Sequence, residues 1–358
     1  MTGGRGQHRV KVKQRMASDT VVIGLNWVGD NVLALPTYRA LHHRFHNEGG
    51  IAVAAPEHIA TLLASVGLFH NVIPWNGSTR DRIRLLRAGR FRRAIILPNS
   101  FRAAMVAYAA GIRERWGYST DLRGLLLTHG VDRGERMHQL DDYAALLAAM
   151  NAPRVVDDIP SVTLPVAVRD KAYRHLRAAG VRMERPLFGL HPGGLYGEAK
   201  HWGDDRYGAL ADRLLAAGYS VVLLTSPSER MQAEAIATAR PGVAMIGQDG
   251  DVLQLAAAIS HCSIVVTNDS GPLHLATALA VPSVSIFGPT DPARTVIPGA
   301  SRVLRRNLAC QPCYARECPL RDHRCMTDIA VDDVYSAAVG LFLEIDGKIE
   351  TDGEVRAL

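Results

Sequence analysis

The chain of 358 residues predicts an α/β protein made of two doubly wound parallel-sheet domains in tandem. Three observations carry this reading. Short apolar runs with strand character alternate with stretches of helical period, the pattern of a parallel sheet covered on both faces. The alternation halts once, at residues 151–165 (NAPRVVDDIPSVTLP), where three prolines and no helical period mark a linker, and then restarts. The length also exceeds what one hydrophobic core ordinarily serves, so two domains are the default.

Taken in order, TVVIGL (20–25) reads as a strand followed by a helix near 31–46, and IAVAA (51–55) by a helix near 56–66. NVIPW (71–75) precedes a basic helix near 79–89, and RAIILP (93–98) precedes the helical SFRAAMVAYAAG. A short ERWGY and a helix near 138–150 complete the first half. After the linker, LFGLHPG (187–193), SVVLLTS (220–226), VAMIG (243–247), SIVVTND (263–269) and SVSIFGP (283–289) read as strands. Helices near 204–218, 229–239, 251–262 and 271–280 fill the gaps, and one near 331–345 closes the chain. The expected organisation is a basic disordered leader at 1–18, a first Rossmann-like domain with its linker at 19–165, a second at 166–330, and a closing helix and tail at 331–358. Two such sheets place a cleft between their strand carboxyl edges, where ligands bind.

Composition is that of an ordinary soluble globular protein, 47% hydrophobic and 21% charged. No apolar run approaches the roughly 20 residues of a membrane-spanning helix. The first 17 residues hold five Lys/Arg and no apolar stretch, so they read as a disordered leader or a weak anchor to anionic lipid, not as a signal peptide. Charge is uneven: residues 1–165 hold 21 basic and 13 acidic side chains, and the remainder 20 and 22. A basic first half suits an anionic partner or is simply solvated. No recognised nucleic-acid module accompanies it, so a nucleic-acid partner is not expected.

The most informative stretch is VVTNDSGPLHLATALAVPSVSIFGPTDP (265–292). Asp269 ends a strand and Ser270-Gly271 open a helix, a geometry in which backbone N–H groups and the helix dipole attract phosphate. Gly271 allows close approach to the backbone, Pro272 fits a first helical turn, and His274 shares a helical face with Ser270. The residues alone leave two readings open: a diphosphate cradle, with Asp269 orienting it or binding a sugar hydroxyl, or a helix cap beside a core histidine. Neither G-x-x-x-x-G-K-[ST] nor G-x-G-x-x-G after the first strand is present, which argues against P-loop NTPases and typical NAD enzymes.

TNDSGPLHLATAL with FGPTDP, LHPGGLYGEAKHW (190–202) and LNWVGDNVLALPTYRAL (25–41) resemble the lipopolysaccharide heptosyltransferases, glycosyltransferase family 9. The resemblance runs in order over roughly residues 20–345. NWVGD and LPNSFRAA (97–104) are more similar to the heptosyltransferase II branch than to heptosyltransferase I. It implies the GT-B fold, with the acceptor site in the first domain and the ADP-heptose site in the second. It also implies inverting transfer with no metal in the chemistry, and a cytoplasmic enzyme peripheral at the inner membrane. The implied acceptor is a phosphorylated lipopolysaccharide inner core. The rivals are a relative using another nucleotide sugar or acceptor, and a sugar-nucleotide-binding protein without catalysis.

The resemblance assigns roles residue by residue. Asp30 matches the family's proposed general base, the alternative being a helix N-cap. Lys200 matches the lysine that contacts donor phosphate, the alternative being surface charge. Gly193 and Gly194 leave amides open to the same group, and Ser270, Gly271 and His274 complete the cradle. Glu229, after the next strand, is expected to accept from ribose hydroxyls, the alternative being an ordinary helix-start Glu. Met245, with Ile246 and Gly247, is expected to border the adenine, the alternative being ordinary strand core. Asn26, Trp27, Asn99, Ser100 and Arg102, with the helix 79–93, are candidates for acceptor contact. The acids of DGD (249–251), 204–205 and 332–333 read as helix caps, not as metal ligands.

Four of the five cysteines fall in CQPCYARECPLRDHRC (310–325) with spacing C-x2-C-x4-C-x6-C, and Cys262 stands alone in an apolar helix. Cys310, Cys313, Cys318 and Cys325 suit a structural tetrahedral zinc, with His323 as a substitute ligand. Free or paired thiols and an iron–sulfur cluster are the other readings.

Overall fold

The computed structural model describes residues 18–135, 138–152, 159–297 and 301–351. The basic leader up to residue 17, part of the linker (153–158) and the tail from 352 lie outside them.

The first domain begins with β1 (Thr20–Ile23), α1 (Val28–Leu33) and α2 (Leu35–Phe45). The single helix expected near 31–46 is two. It breaks at Ala34, just before Pro36, which has no N–H to carry the ladder across. The helix also starts earlier than expected, at Val28 with Trp27 as its N-cap residue, so Asp30 lies inside the first turn and does not cap it. β2 (Ile51–Ala55), α3 (Glu57–Ser65), β3 (Asn71–Pro74), α4 (Thr79–Gly89), β4 (Arg93–Ile96), α5 (Phe101–Ala109) and β5 (Glu114–Tyr118) follow as expected. A short strand absent from the sequence reading, β6 (His129–Val131), and α6 (Gln139–Ala149) complete the domain.

The second domain opens with α7 (Val166–Ala178), which the sequence reading also lacked. It continues as β7 (Leu187–His191), α8 (Asp204–Ala216), β8 (Ser220–Leu224), α9 (Arg230–Thr238), β9 (Val243–Ile246), α10 (Val252–Ile259), β10 (Ile264–Asn268), α11 (Gly271–Ala278) and β11 (Ser283–Phe287). β12 (Ser301–Arg305), also unexpected, the short α12 (Arg324–Thr327) and α13 (Val331–Thr351) end it. Every residue of β12 is only partly buried, and its sequence SRVLR holds just two adjacent apolar side chains between arginines, so it carries no apolar run to mark a strand.

Each domain holds a six-stranded parallel sheet: β3-β2-β1-β4-β5-β6 in the first and β12-β11-β10-β7-β8-β9 in the second. The central strands β1, β2, β7, β8, β10 and β11 are buried along their whole length, which is why they appear as mostly apolar runs. In both sheets the strand order reverses at the first strand, so β1 with its neighbours, and β7 with β10, open a crevice at the carboxyl edge. α13 packs on α8 and on the second sheet and so belongs to that domain's outer layer. The end of the linker is held to the second domain: Val162 N–H donates to Ala278 O, and Val162 and Leu164 are buried. Among the described residues no helix is long and apolar enough to cross a membrane.

Candidate active site

The two carboxyl edges face one cleft of about 700 Å³, within the range of small-ligand sites. The walls meet at its base, where α1 lies against α11. The contact depends on glycine: a Cβ on Gly29 would stand 2.5 Å from His274 Cδ2, and one on Gly271 would stand 3.2 Å from Val28 Cβ. The close approach expected of a ligand at Gly271 is therefore made, in part, by the first domain. His274 is buried, and burial lowers its pKa to about 4, so the imidazole is neutral where it packs on α1.

Asp30 projects from the first turn of α1 into the cleft. Its Oδ1 accepts from Gln139 Nε2 at 2.8 Å, and the same nitrogen lies 2.5 Å from Tyr143 OH. Burial raises the carboxyl pKa. The Gln139 hydrogen bond and the charge of Lys200 pull it down, and the charge of Asp269 adds to the rise. The loop that leads into α1 is fixed by Asn31, fully buried, whose Nδ2 donates to Leu25 O and Trp27 O, both at 2.8 Å. Tyr38 OH donates to Asn31 Oδ1 at 2.9 Å.

On the opposite wall Lys200 Nζ lies 2.5 Å from Asp269 Oδ2 and 3.2 Å from Asp269 O. Thr290 Oγ1 donates to the same Oδ2 at 2.7 Å. Lys200 is mostly buried and stands 4.5 Å from the Tyr196 ring centroid, so it is not a surface charge. Ser270 Oγ lies 2.9 Å from Thr267 Oγ1 and leaves the α11 N-terminus without a side-chain cap. The reading as a plain helix cap therefore does not describe Ser270. Glu229 Oε2 accepts from Ser226 N–H at 3.0 Å and Ser226 O–H at 2.7 Å, while Oε1 turns toward Gly193 and sits 3.8 Å from His191 Nε2.

Asp30, Lys200, Glu229, Asp269, Ser270 and His274 thus line one cleft, as do Trp27, Gly194 and Gly271. Gly193 lies behind Gly194, its carbonyl taken by Asn268 Nδ2 at 3.0 Å. Met245 does not line the cleft. It sits within β9 and packs on the second domain's core, and this strand reaches the cleft only from Gly247, beyond its carboxyl end. Asn26, Asn99, Ser100 and Arg102 also stand outside the cleft lining, along the carboxyl edge of the first sheet. Ser100 caps α5 by accepting from Ala103 N–H at 3.3 Å. Asp251 caps α10 by accepting from Leu253 N–H at 3.0 Å, and its Oδ1 also accepts from Thr61 Oγ1 of the first domain at 2.9 Å. Sequence reasoning gave no role to Gln139, Thr290 or Asn31, although Asn31 stands beside Asp30 and Thr290 lies within FGPTDP.

The expected metal centre is not assembled. Cys310, Cys313, Cys318 and Cys325 line one cavity of about 290 Å³, yet among the described residues no three His, Cys, Asp or Glu side chains are arranged to hold an ion. Cys310 and Cys313 are exposed whereas Cys325 is buried, and burial, with the nearby thiols, raises its pKa to about 11. His323 lines the same cavity, with its Nε2 2.9 Å from Ala199 O. All five thiols are free, and Cys262 is buried. The segment instead braces the Lys200 loop: Ala199 N–H donates to Arg316 O at 3.0 Å, and Tyr196 O–H to Tyr314 O at 2.6 Å.

Residues 80–323 match the model of glycosyltransferase family 9 (heptosyltransferase). The chain is 32% identical over 291 residues to lipopolysaccharide heptosyltransferase 2 of Escherichia coli K12, spanning 76% of this chain and 83% of that protein. It is 29% identical over 294 residues to lipooligosaccharide heptosyltransferase 2 of Haemophilus influenzae, spanning 77% and 84%. The solved structure of E. coli ADP-heptose LPS heptosyltransferase II superposes with a TM-score of 0.78 at 28% identity, over 91% of this chain and 99% of that one. With its two Rossmann-like sheets facing across one cleft, as in the GT-B fold, the chain belongs to glycosyltransferase family 9, the heptosyltransferases.

Proposed function

We propose that the protein transfers L-glycero-D-manno-heptose from ADP-heptose to the heptosyl inner core of lipopolysaccharide. The transfer inverts the anomeric carbon and uses no metal in the chemistry. The observation that carries this reading is the placement of Asp30 on one wall, within electrostatic reach of Lys200 and Asp269 on the other. A partly desolvated carboxylate suits a general base, since its raised pKa makes it a better proton acceptor. Asp30 takes the proton of the acceptor hydroxyl as that oxygen bonds to C1 of the heptose. The C1–O bond to the diphosphate breaks on the opposite side, and ADP leaves with the bonding pair. Lys200, the Ser270 hydroxyl and the α11 N-terminus face that developing charge. Glu229 Oε1 is the acceptor for ribose hydroxyls. The acceptor is phosphorylated and lipid-anchored, and the protein works peripherally at the cytoplasmic face of the inner membrane.

The test is incubation with ADP-heptose and truncated core glycolipid, followed by mass spectrometry. A mass gain of one heptose with release of ADP, undiminished by a chelator, supports the reading. Transfer only from another nucleotide sugar, or ADP-heptose binding with no transfer, defeats it.

A further inference from the structure

The first turn of α6 is tied to both walls of the cleft, and the proposed transfer uses only one of its side chains. Gln139 and Asp142, three residues apart, share a face of the helix. Gln139 Nε2 donates to Asp30 Oδ1. Asp142 Oδ2 accepts from Arg133 Nη2 of the first domain at 2.9 Å and from Arg294 Nη2 of the second at 3.1 Å. The Asp142 side chain is only 4% exposed, so both pairs are shielded from water and salt. His138, the residue before α6, adds a second tie between the domains. Its Nδ1 accepts from Leu140 N–H at 3.2 Å, so Nε2 carries the proton and donates to Val296 O at 3.3 Å.

Arg294 ends a short 3-10 turn, Pro292–Arg294, which Asp291 caps by accepting from Ala293 N–H at 3.1 Å. Just ahead of that turn, Thr290 holds the Asp269 carboxylate that Lys200 meets. A continuous route of bonded groups and short chain segments thus runs from Asp30 through Gln139, Asp142, Arg294 and Thr290 to the charged pair on the far wall. Gln139, Arg294 and Thr290 all line the cleft. Two guanidinium groups meet one carboxylate here, and Arg133 Nε and Arg294 Nη1 are buried without a hydrogen-bond partner among the described residues. Desolvation of such a cluster offsets much of what its attraction adds to stability, whereas the direction of its charged hydrogen bonds fixes relative position.

We propose that Asp142 is a positioning residue for the transfer. Through Arg294 it sets the first turn of α6, and with it Gln139 and the Asp30 carboxylate, against the donor side of the cleft. Arg133 serves the same carboxylate from within the first domain and does not span the cleft. The inference rests on the proposed transfer for its consequence in turnover, while the bridge itself can be read without any substrate.

The test compares three variants of the full chain. Arg294→Met removes the arm that crosses the cleft and leaves Asp142 paired with Arg133. Arg133→Met removes the other arm and leaves the crossing one, and Asp142→Ala removes both. The amides of residues 140–142 and 293–296 are hydrogen-bonded within their own turns, so their hydrogen exchange reports the opening of each turn. Without ligand, exchange in both stretches should rise about tenfold in Arg294→Met, and the 293–296 stretch should keep the parent's rate in Arg133→Met. In heptosyl transfer, Arg294→Met and Asp142→Ala should each lower kcat by about ten- to a hundredfold, the upper figure being the scale of a misplacement of about 1 Å. ADP-heptose affinity, read by calorimetry, should stay at the parent's value. Asp142→Ala/Arg294→Met should be no slower than either single variant, because one bridge is lost only once.

Parent-like exchange in Arg294→Met overturns the proposal, as does parent-like kcat in Arg294→Met or Asp142→Ala. A loss of donor affinity in Arg294→Met that matches its loss of kcat, or losses that add in the double variant, would mean that Arg294 meets a substrate itself, and also overturn it. Should Asp142→Ala fail to fold by circular dichroism, the two arginine variants decide, and equal exchange of residues 293–296 in both defeats the bridge. A parent protein that transfers no heptose removes the proposed reaction, and the exchange result alone then upholds or overturns the bridge.

Discussion

His274 of the second domain lies directly against Gly29 of the first, so closely that a Cβ at position 29 would stand 2.5 Å from His274 Cδ2. This contact joins the helix that carries Asp30 to the helix that begins at Ser270, and it sets how near the two walls of the cleft come. Gly29→Ala should wedge α1 from α11. We expect a loss of about 1–3 kcal/mol in denaturant unfolding, and a drop in turnover larger than the drop in ADP affinity. Parent-like turnover in a folded Gly29→Ala protein would show that this contact does not set the catalytic spacing.

Asp30→Asn keeps the shape of the side chain and removes its basicity. Turnover should fall at least about a hundredfold, the usual scale for a positioned general base. ADP-heptose affinity, read by calorimetry, should stay close to the parent's because the donor groups lie on the other wall. Retained turnover would remove Asp30 from the mechanism.

The pH profile reports the same group. A general base must be deprotonated, so kcat/KM should fall on the acid side as pH drops through the Asp30 pKa. Burial raises that pKa, while the Gln139 hydrogen bond and Lys200 favour the charged form. Gln139→Ala removes one of the lowering influences, so the acid limb should move to higher pH. A limb that stays in place would mean that another group titrates.

Lys200 and Asp269 form a largely buried pair, and removing one partner strands the other. Lys200→Met should cost about 3 kcal/mol of stability, and Lys200→Met/Asp269→Asn should recover much of it. Neither variant should recover ADP-heptose binding. Recovery of binding in the double variant, measured by calorimetry, would mean that Lys200 matters only for the fold.

Gly197 links the cysteine-rich segment to the same loop, because a Cβ there would collide with the Arg316 carbonyl, a backbone atom that cannot turn aside. Gly197→Ala should weaken ADP-heptose binding about tenfold or more, about 1.4 kcal/mol lost from the loop's preference for its bound position. Global stability should change less. Unchanged donor affinity would show that the 310–325 segment does not position Lys200.

By itself the sequence determined the α/β alternation and the two sheets, because buried parallel strands are written as mostly apolar runs. The motifs that carry the family resemblance also pointed to Asp30, Lys200, Asp269, Ser270 and Glu229, which the fold brings to one cleft. Tertiary structure decided the rest. β12 and β6 escaped notice because a polar, part-exposed strand has no apolar run. Gln139 lies 109 residues from Asp30, and Thr290 lies 21 from Asp269 in a loop of its own. Their hydrogen bonds exist only because separate elements converge, and no local pattern records that. Met245 and the four thiols made the same point in reverse. β9 packs Met245 on the second domain's core, and the four thiols line one cavity although, among the described residues, no three ligating side chains are arranged to hold an ion.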